Sequence, residues 1–151
     1  MESPRYCTLS LLTEKDLYEV SKILEHKHLI VRAEVNNPPK DTEMMKQWMT
    51  DMVSALNMKE LAPPRAVYSD MVGNRGLTCD VLLNTSNAVV HTWDEVDPGL
   101  FMLDVYTCGA LEPDVIFGLL EVFDPVKIEY KYLDREHGLE LIDRGIIMKG
   151  E

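Results

Sequence analysis

Between Thr78 and Cys108 the chain concentrates side chains able to do chemistry: Thr78, Cys79, Ser86, His91, Thr92, Trp93, Asp94, Glu95, Asp104 and Cys108. A hydroxyl, an imidazole and a thiol within one short stretch suit nucleophilic attack and proton transfer. Each also has an ordinary structural explanation. A histidine in a strand is usually hydrogen-bonded into the fold, a cysteine at an apolar strand end is usually inert packing, and a serine in Asn84-Thr85-Ser86-Asn87 is usually a turn residue. A Ser-His-acid hydrolase triad is excluded: there is no G-x-S-x-G elbow, and no helical pattern follows Ser86.

These residues need strands to position them, and the chain supplies the strands. Residues 65–72, 76–84, 87–93 and 100–108 read as extended segments separated by Gly73, Asn74 and Gly76, by the Asn84–Asn87 turn, and by Asp94 to Gly99. The connection at 84–87 is too short for a crossover, so its two strands must be antiparallel neighbours. Strand-like runs at 28–35 and 126–136 flank this meander. Met44, Met45, Trp48, Met49, Met52, Val53 and Leu56 recur at helical spacing, which predicts the longest helix over 41–57. That methionine-rich stripe is read as core rather than as a binding groove. A second helix is expected over 112–123, with Pro113 in its first turn, and a short one near 14–25 with Thr13 as N-cap. The expected fold is an α/β protein of the α+β type, a two-layer sandwich with two main helices on a largely antiparallel sheet.

Composition narrows the partners. The chain has 151 residues, the size of one domain, with a formal net charge of -11. That charge repels nucleic-acid phosphates and anionic membranes, so neither is an expected partner. No apolar run approaches the ~20 residues that span a bilayer, and MESPRYCTLSLLTEKD places acids where a signal peptide would be apolar, so a cytoplasmic protein is expected. Cys7, Cys79 and Cys108 are odd in number and widely spaced, which fits free thiols better than disulfides or a zinc site.

In order along the chain, TSNAVVHTWDE at 85–95 and LDVYTCG at 103–109 resemble the core of the prokaryotic S-adenosylmethionine decarboxylases. The resemblance extends to the His28–Val31 strand, the Pro113–Phe123 helix and Arg144-Gly145. It covers about four fifths of the chain and leaves residues 1–27 as an extension ahead of a decarboxylase-like domain at 28–151. Such a relationship implies a proenzyme that cuts itself between Thr85 and Ser86 into a β chain, 1–85, and an α chain, 86–151. Ser86 then becomes a pyruvoyl cofactor that takes up the substrate amine and acts as electron sink. His91 would assist the elimination and Thr78 the acyl shift. Cys108 would protonate the product carbanion, and Glu95 would hold the ribose hydroxyls of S-adenosylmethionine. The implied assembly is a homodimer of cleaved protomers, needing no metal, in spermidine synthesis.

Three positions depart from the family pattern: Thr85 stands for glutamate, Asn87 for histidine and Asp94 for proline. Tyr68 is the aromatic assigned to adenine stacking. Strict alternation sets Ser86 and His91 on opposite faces of the strand, so a bulge or tight turn at 86–87 is expected to re-aim the serine. Two other functions fit the same residues: a pyruvoyl decarboxylase acting on arginine or ornithine, and a non-enzymatic paralogue that never cleaves.

Overall fold

A computed structural model describes residues 13–15 and 25–150. Seven strands form one antiparallel sheet: β1 (Lys27–Val35), β2 (Arg65–Ser69), β3 (Gly76–Leu83), β4 (Ser86–Trp93), β5 (Gly99–Thr107), β6 (Pro125–Asp134) and β7 (Leu141–Met148). Their spatial order is β2-β3-β4-β5-β1-β6-β7. Two helices, α1 (Thr42–Ala55) and α2 (Pro113–Leu120), cover one face, and a 3-10 turn follows α2 at Glu121–Phe123. The expected sandwich is therefore present, and β2 stops at Ser69, short of the expected Val72.

Alternation explains the layering. In β5 every second residue is buried, with Phe101, Leu103 and Val105 toward the helices and Leu100, Met102 and Asp104 toward the other face. Helix α1 starts where the Asp41 carboxylate accepts from the Glu43 and Met44 amides at 2.8 and 3.0 Å. Its methionine stripe is core as expected at Met45, Met49 and Met52, which are fully buried, whereas Met44 faces solvent. Trp48 anchors it, 5.7 Å from Phe101 and 5.5 Å from Phe123 between ring centroids, with its indole N–H on the Leu119 carbonyl at 2.9 Å.

Two elements differ from expectation. Strand β7 was not anticipated, because ELIDRGIIMKG carries a central glycine and no clean alternation. That glycine is what lets the strand form: a Cβ on Gly145 would sit 2.9 Å from the Tyr130 ring, which lies across the strand. The other correction is at the turn. Pairing between β3 and β4 runs without register shift from Thr78↔His91 to Leu83↔Ser86, so no bulge re-aims the serine. Most of the helix expected at 14–25 lies outside the described residues; Glu14 and Lys15 are helical. Among the described residues no helix is long and apolar enough to cross a membrane.

Candidate active site

The β3–β4 hairpin closes through two residues, Asn84 and Thr85. Thr85 sits at φ 60, a left-handed conformation that a β-branched residue adopts only under strain. Ser86 follows on the helix-side face of β4, 8% exposed. Its Oγ accepts from the Cys108 amide at 2.8 Å, and the Cys108 Sγ lies 3.4 Å from the Asn84 carbonyl oxygen. Cys108 is held there by the turn that ends β5: the fully buried Thr107 hydroxyl donates to the Gly109 carbonyl at 2.8 Å. The turn bond, serine and thiol thus meet at one end of the sheet.

Thr78 and His91 meet elsewhere. They are directly opposed on β3 and β4, with Thr78 Oγ1 2.9 Å from His91 Nδ1, as the hairpin reading expects. Both lie on the open face of the sheet, away from the helices. His91 is five residues from Ser86 along an unbroken strand, about 17 Å at 3.4 Å per residue, and on the opposite face. Within one chain the structure does not bring them together.

Glu95 extends the His91 cluster. Trp93 lies beside His91 with ring centroids 6.4 Å apart, and a cleft of about 160 Å³ is lined by Gly73, Trp93, Glu95, Val96, Leu100 and Met102. Both Glu95 oxygens accept from the Gly73 amide, at 2.8 and 3.1 Å, and Arg75 Nε is 3.8 Å away. Tyr68 is not in this cleft. Its partner on β3 is the buried Leu77, which places it on the helix face, where its hydroxyl donates to Asp94 at 2.8 Å. That bond, first among its causes, raises the phenol above its ordinary pKa. The aromatic in the cleft is Trp93.

Sequence reasoning passed over two features. His28 Nε2 is 2.9 Å from Asp104 Oδ1 across β1 and β5, and the motif aspartate before Val105 was the signal for it. The grip of the 70–75 loop on Glu95 had no signal beyond Gly73 itself. The other strand cysteine is structural: burial pushes the Cys79 thiol up to about 11, so it stays protonated and unreactive. Among the described residues neither Cys79 nor Cys108 is in a disulfide, and Cys7 lies outside the described residues.

The comparisons bear on the fold and the family. A solved structure, the adenosylmethionine decarboxylase from Aquifex aeolicus, superimposes with a TM-score of 0.59 at 19% identity, over 81% of this chain and 98% of that one. It shares the fold. A search of curated protein sequences returns no match. The family model for S-adenosylmethionine decarboxylase matches residues 27–136, a span that contains the turn at Asn84 and Thr85, both open-face residues, Glu95 and Cys108. With that much of its length matched, the chain belongs to the S-adenosylmethionine decarboxylase family, whose members release carbon dioxide from that sulfonium substrate.

Proposed function

We propose that the chain decarboxylates S-adenosylmethionine with a pyruvoyl group made from Ser86, for polyamine synthesis. The observation that carries this reading is the processing turn: Ser86 Oγ held by the Cys108 amide, directly after a residue strained at φ 60. Ser86 Oγ attacks the Thr85 carbonyl carbon; the new C–O bond replaces the peptide C–N bond, and the freed nitrogen takes the hydroxyl proton. Loss of the Ser86 α-proton then expels the Thr85 carboxylate, and water releases ammonia from the dehydrated residue. The chain is left as 1–85 and 86–151. Cleavage also frees Thr85 from its left-handed conformation, so part of the driving force is strain present in the precursor.

The residues present fit such a group. When formed, it supplies a carbonyl that binds the substrate amine and takes up the electrons freed with carbon dioxide. Cys108, whose Sγ lies 3.4 Å from the Asn84 carbonyl oxygen at the same turn, would supply a proton to the product carbon. Glu95 is a carboxylate able to accept two ribose hydroxyls, and the formal charge of -11 attracts a cationic sulfonium.

His91 requires a second copy. About 17 Å and a sheet separate it from its own Ser86, so its proton transfer serves the Ser86 of a partner chain whose β3–β4 turn reaches this open face. The Thr78 hydroxyl engages Nδ1, which leaves Nε2 as the ring nitrogen that would act as base. The working unit is thus a homodimer with composite sites.

The substrate is tested by measuring carbon dioxide release from S-adenosylmethionine, arginine and ornithine. Preference for S-adenosylmethionine is expected, with KM raised roughly ten-fold by Glu95→Gln, since a neutral acceptor is about 1–2 kcal/mol weaker than a charged one. Faster turnover of arginine or ornithine would assign the chain to the other pyruvoyl chemistry.

A further inference from the structure

The Glu95 carboxylate is already occupied by its own chain. The β2–β3 loop folds back over the cleft. Gly73 donates one N–H to both Glu95 oxygens, Trp93 donates to Asn74 Oδ1 at 3.4 Å, and Asp94 donates its amide to the Arg75 carbonyl at 3.1 Å. The tip is a unit, closed by the Asn74 amide on the Met71 carbonyl at 2.9 Å. It presents Met71 and Val72 to water, 67% and 78% exposed, beside a cleft whose walls are apolar apart from Glu95. Gly73 holds φ 89, which favours glycine, and a Cβ there would meet no atom within 4 Å.

We propose that loop 70–75 is a specificity strap: the Gly73 amide takes the place of a ribose diol on Glu95, and only a ligand with two vicinal hydroxyls displaces it. This rests on Glu95 being the ribose carboxylate. One shared N–H leaves acceptor sites on a carboxylate that can take about four hydrogen bonds, and a vicinal diol offers two separate donors to the same two oxygens. A ligand with one hydroxyl, or none, breaks the Gly73 bond for no net gain in donors. Opening therefore selects for a ribonucleoside, and its cost lowers the apparent affinity by the fraction of chains with the strap closed.

The test uses adenosine as probe on the purified full chain, with hydrogen exchange read over residues 71–75. Ligand contact ordinarily slows exchange; here adenosine should speed it, because the Gly73 N–H loses its acceptor, while 2′-deoxyadenosine should bind more weakly and leave exchange unchanged. A second arm strains the closed strap without touching Glu95. Gly73→Ala should bind adenosine roughly five-fold more tightly, as expected if an alanine is disfavoured at positive φ. Exchange that slows or stays constant on adenosine binding, or a Gly73→Ala affinity equal to or weaker than wild type, overturns the strap and leaves the ribose reading standing. Adenosine binding indifferent to Glu95→Gln overturns both.

Discussion

At the scale of single residues, Thr85 changes most between sequence and structure. Nothing in its replacement of the family glutamate signals backbone geometry, yet its φ of 60 makes the backbone there a store of strain on the order of 1–3 kcal/mol. Thr85→Gly relaxes the precursor, so self-cleavage should slow by about ten-fold, measured as the half-time of intact chain. Cys108→Ala should separate two functions. It keeps the amide that holds Ser86, so cleavage proceeds, while the missing thiol lets protonation occur at the cofactor carbon and turnover fall by about 10² or more. Unimpaired carbon dioxide release would make Cys108 a packing residue. The Thr78–His91 pair was legible because a short hairpin turn fixes register. The Ser86–His91 separation was legible too, as alternation, but the expected bulge was not there to undo it.

At the scale of elements, the helix stripe and the meander were readable from periodicity, whereas β7 was not, since its glycine answers to the ring of Tyr130 on another strand. Gly145→Ala should therefore destabilise the chain by about 1–3 kcal/mol through overpacking, seen as a lower urea midpoint. Phe101→Ala removes the ring between Trp48 and Phe123 and should cost about 3–5 kcal/mol, a fall of roughly 10 °C in Tm. The β6 side of the sheet carries the acid sensitivity. Lys127 lowers Glu129, Lys27 lowers Glu136 and Lys149 lowers Asp124, each carboxyl being held below its ordinary value. Folded values below unfolded ones mean stability that is present above the ordinary carboxylate range and lost as pH falls through the depressed values. Thermal melts should accordingly hold from neutrality down to about pH 5 and decline below about pH 4.

At the scale of the whole molecule, Ser86 and His91 lie at different places on one chain, and the proposed dimer is the arrangement that would join them. Coexpression makes this visible. His91→Ala chains should cleave poorly alone, and Ser86→Ala chains not at all, yet in mixed dimers the His91→Ala chain should cleave, because its Ser86 meets an intact His91 from its partner. Absence of rescue would return His91 to a structural role. The intact mass of the purified wild-type protein tests self-processing most directly. The account predicts fragments of roughly 9 and 7 kDa, the smaller lighter than residues 86–151 by the mass of ammonia, and a single uncleaved species for Ser86→Ala. A wild-type chain that persists as one 17.3 kDa species with Ser86 unchanged would contradict it.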